Sequence, residues 1–347
     1  MSDVDRPNHR GILLAGGKGT RLYPLTSVAS KQLTALYNKP MIYYSLSTLM
    51  MSGIREVLLI SAPSDLDRFR DLLGDGSQLG IEILYREQQE PRGIAEALVI
   101  GSDFISECPS FLMLGDNVLY GRFDFLRAAL RNHGDDAVVF GYQVANPSAY
   151  GVIEFDQQGR AIAIEEKPDV PRSNWAIPGL YVYPRGVADL AAGLKPSGRG
   201  ELEITDLNRL YLEKEMLKVV PMGRGIAWFD TGSPEALLEA SNFIEAVERR
   251  QGLIIGSPEE VAYRMGYIGL DQLGSMVKEM PDSQYAAYLA DIAKGPESLV
   301  NKGSQLYRSG SADGPDSDVS PYRGSIEDFD GMANEIDSEF LGSIKSR

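Results

Sequence analysis

Up to Tyr150, short apolar runs alternate with amphipathic stretches. Residues 12–15 are apolar and stop at a pair of glycines, as a strand buried on both faces would. Residues 56–61 (EVLLIS), 81–85, 111–114 and 137–142 (AVVFGY) repeat the pattern. Helical stretches fall between them at 41–51, 65–73, 94–100 and 123–130; in 65–73, Leu66, Phe69, Leu72 and Leu73 share one face. This alternation predicts an α/β fold with a doubly wound, mostly parallel (mixed) Rossmann-like sheet. The rhythm changes after Tyr150, where residues 151–155 and 161–165 flank a QQG turn and predict an inserted hairpin. Strands at 179–183, 217–221 and 226–229 follow, with a helix at 203–214. From Pro234 the pattern is helical, over 234–251, 258–265, 270–280 and 283–294, and Ser233-Pro234 is a good start signal. Residues 295–347, rich in Gly, Ser and Asp and without periodicity, read as a disordered acidic tail. The chain thus divides into an α/β domain with insertions (1–232), C-terminal helices (233–294) and the tail.

Rare residues narrow the chemistry. Cys108 is the only cysteine, and His9 and His133 are the only histidines, which disfavours a disulfide framework, a Ser-His-Asp triad or a zinc site. The net charge of −15 disfavours nucleic-acid binding. Yet Arg10 through Arg55 contains no Asp or Glu, while Arg10, Lys18, Arg21, Lys31, Lys39 and Arg55 fall there. A basic segment in an acidic protein suits a small anion, although clustering by chance gives the same count. No apolar stretch reaches the roughly 18–20 residues of a membrane span. The N-terminus lacks a signal peptide's apolar segment, so a cytoplasmic protein without membrane contact is expected.

The strongest local signal is LLAGGKGTRL. Gly16, Gly17 and Gly19 after the first strand permit positive φ and a close approach of backbone N–H groups to an anion. Arg21 can fork onto phosphate oxygens, and Lys18 and Lys31 add charge. The spacing is neither a Walker A loop nor the dinucleotide fingerprint. Asp116 and Asp230 close predicted strands, where open α/β sheets bind ligands. Mg²⁺ takes one or two carboxylates plus phosphate and water, though aspartate is also an ordinary turn residue.

With Pro24-Leu25-Thr26, Lys31-Gln32-Leu33 and Lys39-Pro40-Met41, the glycine turn resembles the sugar nucleotidyltransferase family. Gly115-Asp116-Asn117, Tyr150-Gly151-Val152, Glu165-Glu166-Lys167-Pro168, the run GRGELEITD at 198–206 and AWFDTG at 227–232 extend the likeness over residues 9–293. The resemblance implies transfer of a nucleotidyl group from dTTP to glucose-1-phosphate with release of pyrophosphate and Mg²⁺ as cofactor. It implies that Gly16, Gly17, Gly19 and Thr20 cradle the triphosphate, that Arg21 and Lys31 grip it, and that Gln32, Gln88 and Gly93 meet the base. Asp116 and Asp230 would hold the metal, Asp116 also touching the nucleotide. Tyr150, Gly151, Glu166 and Glu201 would meet the sugar, and Lys167 its phosphate. A homotetramer with a regulatory nucleotide site, touched by Glu260 and Arg264 and inhibited by dTDP-rhamnose, is also implied. Read alone, each of these residues has a plainer role: a surface amide, a loop glycine, a charged pair before a proline turn. Thr34-Ala35-Leu36 stands where the family has Leu-Pro-Ile, which leaves dTTP and UTP open; a uridylyltransferase and a non-catalytic homologue of the same fold are the alternatives.

Overall fold

The structure, a computed structural model, describes residues 9–17 and 19–295. Lys18 and the tail beyond residue 295 lie outside the described residues. Those described form two compact units, 9–142 with 177–295, and 143–176.

The first unit begins with β1 (Arg10–Ala15), the two-residue strands β2 (Ala35–Leu36) and β3 (Lys39–Pro40), α1 (Ile42–Met51), β4 (Glu56–Ser61), α2 (Pro63–Leu73) and β5 (Glu82–Glu87). Then come α3 (Glu96–Ile100), β6 (Ser110–Leu114), β7 (Asn117–Tyr120), α4 (Asp124–Asn132) and β8 (Ala137–Gln143). The second unit carries β9 (Gly151–Phe155), β10 (Ala161–Glu166) and β11 (Trp175–Ile177). The chain then supplies β12 (Leu180–Tyr183), α5 (Val187–Ala192), α6 (Ile204–Glu213), β13 (Leu217–Pro221) and β14 (Ala227–Asp230). Four helices follow: α7 (Pro234–Gln251), α8 (Pro258–Arg264), α9 (Leu270–Glu279) and α10 (Gln284–Ala293).

The sheet of the first unit runs β8-β12-β6-β1-β4-β5, and β13 also pairs with β8. β1 is central and parallel to β4 and β6, with Leu13 opposite both Leu59 and Met113. Ile12, Leu13, Leu58, Leu59, Leu112 and Met113 are fully buried, which is why these strands read as unbroken apolar runs. β12 lies antiparallel to β6 and β8, so the sheet is mixed. Separately, β14 pairs antiparallel with β7, Asp230 opposite Asn117. In the second unit β9 and β10 form the expected antiparallel hairpin, with Gly151 opposite Glu166. β2, β3, β7, β11 and α5 were not expected from the pattern; each has six residues or fewer, too short for its periodicity to declare itself.

The C-terminal helices pack within the first unit. Leu36, Met41, Tyr44 and Val118 share one apolar cluster with Ala240 and Ile244 of α7 and with Leu253 and Ile255 just beyond it. The α7 start is capped as its sequence suggests, the Ser233 hydroxyl accepting from the Ala236 N–H at 3.2 Å. None of the described helices is long and apolar enough to cross a membrane. Beside the cluster, Lys39 Nζ meets Glu248 Oε1 at 3.1 Å with both side chains buried. Glu248 also accepts from the Ile255 N–H at 2.8 Å and the Asn38 amide at 2.7 Å. Burial pulls the Lys39 ammonium down to about 8 although Glu248 opposes the shift. Replacing one member of such a pair strands the other. Glu248→Ala is therefore expected to cost about 3–5 kcal/mol, read from denaturant unfolding.

Candidate active site

The glycine turn follows β1. Gly17 and Gly19 have φ of 97° and 56°, a region that favours glycine. The Thr26 hydroxyl donates to the Gly19 carbonyl at 2.9 Å and folds the next turn back onto it. Thr20 and Arg21 open a short 3-10 turn and are exposed.

Two amide side chains bracket this turn. Gln32 is buried; its Oε1 accepts from the Ser30 hydroxyl at 3.0 Å and its Nε2 points to the Gly16 carbonyl at 3.4 Å. Gln88 is buried too, its Nε2 donating to Glu96 Oε2 at 2.8 Å. Because a carboxylate only accepts, this bond sets which end of the Gln88 amide faces the turn: a Cβ on Gly16 would collide with Gln88 Oε1. Glu96 also accepts from the Arg92 N–H and guanidinium, shaping the turn that contains Gly93. Leu202 closes over that turn, donating to the Arg92 carbonyl at 2.7 Å and accepting from the Ala95 N–H at 3.2 Å. Glu201 therefore sits directly before the residue that clasps Gly93.

The charged centre lies where β6 ends and the β7–β14 ladder begins. Lys31 Nζ pairs with Asp116 Oδ2. Burial alone would raise the Asp116 carboxyl, but Lys31 and the Asn117 amide outweigh it and hold it below the usual carboxylate range. The Asp116 carbonyl accepts from the Thr231 N–H at 3.2 Å and hydroxyl at 2.8 Å, which joins it to the residue after Asp230. With Asp230 opposite Asn117, Asp230 stands across the ladder from the residue that follows Asp116. Arg21 reaches the same place: a Cβ on Gly232 would lie 2.6 Å from Arg21 Nη2 and 3.1 Å from Asp230 Oδ1. Gly115 closes the circle, its N–H donating to the Leu14 carbonyl at 2.9 Å beside the glycine turn.

In the second unit Tyr150, Gly151, Glu166 and Lys167 gather at one end of the β9–β10 hairpin. The Lys167 N–H donates to the Tyr150 carbonyl at 2.9 Å, and its ammonium lies 3.5 Å from Glu166. Lys167 has φ of 45°, a left-handed conformation uncommon for a non-glycine residue and shared here with Tyr37 and Glu215. Glu260 and Arg264 stand elsewhere, on α8. They form a buried pair at 2.6 Å, Tyr288 donates to the other Glu260 oxygen at 2.6 Å, and burial raises the Glu260 carboxyl.

Hard oxygen donors suit a hard divalent cation. Among the described residues no three or more His, Cys, Asp or Glu side chains form a metal cage. Two carboxylates on segments joined by the Thr231 and Asn117 backbones, each with a cation beside it, suit an ion that takes its remaining ligands from phosphate and water. Sequence reasoning assigned no role to Glu96, Asn117, Thr231 or Gly232. Asn117 had a signal, an amide directly after a candidate metal carboxylate; Glu96 had none.

The nucleotidyl transferase family model matches residues 10–247. A glucose-1-phosphate thymidylyltransferase from Mycolicibacterium smegmatis is 51% identical over 285 residues, covering 82% of this chain and 98% of that protein. One from Xanthomonas campestris is 52% identical over 288 residues, covering 82% and 97%. Among solved structures, a candidate glucose-1-phosphate thymidylyltransferase from Bacillus anthracis, in complex with sucrose, is 35% identical with a TM-score of 0.64, covering 68% of this chain and 94% of its own. A UDP-glucose pyrophosphorylase with UDP-glucose, 22% identical with a TM-score of 0.61, shares the fold.

Gly93 combines φ of 105° with the Leu202 backbone nitrogen 2.6 Å from where a Cβ would stand. Gly93→Ala is expected to cost at least about 1–3 kcal/mol of backbone strain and to loosen the clasp around Gln88. A lower melting temperature together with weaker nucleotide binding checks this.

Proposed function

The chain belongs to the nucleotidyl transferase family, and we propose that it transfers the dTMP group of dTTP to glucose-1-phosphate, giving dTDP-glucose and pyrophosphate. The observation that carries this reading is the convergence of Arg21, Lys31, Asp116 and Asp230 beside the glycine turn. Relatives of that name at about half identity over nearly their full length support it.

The chemistry asks little of proton transfer. A phosphate oxygen of the sugar phosphate is already anionic near neutral pH and attacks the α-phosphorus. One P–O bond forms as the bond to the β-phosphate oxygen breaks, and pyrophosphate leaves. Two histidines in the whole chain suffice because no general base is needed. The protein must instead align two polyanions and neutralise charge. Gly16, Gly17, Gly19 and Thr20 offer backbone N–H groups to the triphosphate, and Arg21 and Lys31 supply its counter-charge. Lys31 meanwhile holds Asp116 ionised. Asp116 and Asp230 would hold the divalent cation, which we take to be Mg²⁺ and which supplies further charge neutralisation on the phosphate oxygens. Gln32 and Gln88 would meet the pyrimidine, with Gly93 admitting it. Tyr150, Gly151, Glu166 and Glu201 would serve the sugar and Lys167 its phosphate.

We also assign this chain a homotetramer with a regulatory nucleotide site at α8, through Glu260 and Arg264. The turn leading into that helix lines a cavity with Tyr44, Thr48, Leu119 and Tyr120. Inhibition of the forward reaction by dTDP-rhamnose is expected; unchanged rates at saturating dTDP-rhamnose would remove the regulatory site.

Two measurements test the activity. Pyrophosphate release from glucose-1-phosphate, run separately with dTTP and UTP, should favour dTTP and cease when EDTA removes the metal. Arg21→Ala should lower kcat by about 100-fold or more with little change in melting temperature, since Arg21 is exposed. Near-normal turnover by that variant would take Arg21 out of the mechanism.

A further inference from the structure

Asn117 is buried at the junction of the two candidate metal carboxylates. Its Oδ1 accepts two hydrogen bonds, from the Trp228 indole N–H at 2.6 Å and the Gly179 N–H at 3.0 Å. Both partners can only donate, so the amide has a single satisfiable orientation. That orientation turns Nδ2 onto Asp116 Oδ1 at 3.1 Å. Lys31 takes Oδ2, so each oxygen of Asp116 has its own donor. The Asn117 backbone meanwhile pairs with Asp230, and Trp228 lies on the same strand as Asp230. Its carbonyl is tied to α1 by the Ser45 hydroxyl at 3.1 Å. A Cβ on Gly179 would come within 2.6 Å of the Leu114 side chain and 2.8 Å of Asn117 Nδ2, so the glycine leaves room for both.

We propose that Asn117 is a positioning residue for the metal site: its indole-locked amide fixes the rotamer of Asp116 while its backbone fixes the spacing to Asp230. This rests on the reading of Asp116 and Asp230 as the metal carboxylates. Asparagine is the one side chain of this size that accepts on one side and donates on the other. Aspartate would keep both bonds to Oδ1 and place a carboxylate against Asp116; leucine would keep the volume and satisfy neither neighbour. Outer partners of this kind typically change metal affinity by about 10–100-fold.

The test is Mn²⁺ binding in the presence of inorganic triphosphate, followed by calorimetry on the full chain, with no turnover involved. Asp116→Asn should abolish metal-dependent binding; undiminished binding there would sink the metal reading itself. Asn117→Ala should weaken Mn²⁺ by about tenfold. Trp228→Phe keeps an aromatic ring against Tyr142, whose ring centroid lies 5.5 Å away, and leaves the Asp116 side chain itself unaltered. It should weaken Mn²⁺ about threefold in the parent and not at all in the Asn117→Ala background, because both changes act through one amide. In steady state the same variants should raise the metal concentration at half-maximal rate more than they lower kcat at saturating metal. Parent-like Mn²⁺ affinity in Asn117→Ala, or losses that multiply in the double variant, would overturn the proposal. If Asn117→Ala does not fold, Trp228→Phe alone decides: unchanged Mn²⁺ affinity overturns it.

Discussion

A carboxylate taken out of water must be compensated to stay ionised, and much of this end of the molecule answers that constraint at Asp116. Asp116 and Asp230 are brought together by strand pairing, which fixes backbones without regard to charge. Compensation comes from side chains drawn from far along the sequence. Lys31 faces one oxygen of Asp116, Asn117 faces the other, and Arg21 lies over Gly232 beside Asp230. The net effect of Lys31 and Asn117 on Asp116 exceeds the cost of burial, so the group stays ionised. Lys31 and Arg21 thus lie against the carboxylates, and cations so placed are also able to pair with phosphate oxygens.

The C-terminal helices take part in this geometry. The β2–β3 turn begins four residues after Lys31 and is fastened at its far end by the buried Lys39–Glu248 pair. Met41 reaches back from there, its N–H donating to the Thr34 carbonyl and its sulfur lying 3.1 Å from the Thr231 hydroxyl, which donates to the Asp116 carbonyl. An unbroken set of contacts therefore runs from α7 to the charged centre. Glu248 further accepts from Ile255, at the turn that leads into α8. A helical region that looks like an appendage in the sequence thus helps set the position of Lys31. A buried ion pair is a poor source of net stability but a good means of specifying which of several packings is adopted.

How much of this was legible beforehand follows from the range of each interaction. The buried parallel strands, the long helices and the Ser233-Pro234 start depend on local pattern, and their expected bounds match within a few residues. Strand direction does not show in side-chain alternation, so β12 read as a strand but not as an antiparallel one. β7 was invisible because four residues carry no period, yet it is the strand that brings Asp230 to Asp116. The cationic and anionic members of the candidate site were found from the glycine turn, the acid-free segment and the family likeness. The residues that orient them were not. Glu96 is a single acid on a five-residue helix, and only the fold turns it toward Gln88. First contacts with a ligand leave marks in sequence through their chemistry, whereas the partners that hold them are defined by contacts alone.

The same distinction bears on how a base would be read. Glu96 takes the donor end of Gln88, which leaves its carbonyl oxygen toward the glycine turn. Ser30 occupies the carbonyl of Gln32, which leaves its amide hydrogens directed there. One amide thus offers an acceptor and the other a donor, the complement of a base edge that pairs an N–H with a carbonyl. Thymine and uracil both present that edge, and cytosine, with the roles at its ring nitrogen and exocyclic group reversed, does not. Rejecting the wrong polarity leaves buried groups unpaired and is costly, while one methyl is worth only about 1–3 kcal/mol. If Gln32 and Gln88 meet the base as proposed, the pinned amides would discriminate by edge polarity and not by the methyl. Any preference for dTTP over UTP must come from apolar contact with the methyl or from the ribose, and the change from Leu-Pro-Ile to Thr34-Ala35-Leu36 lies immediately after the Lys31–Leu33 turn, where such contacts would be set.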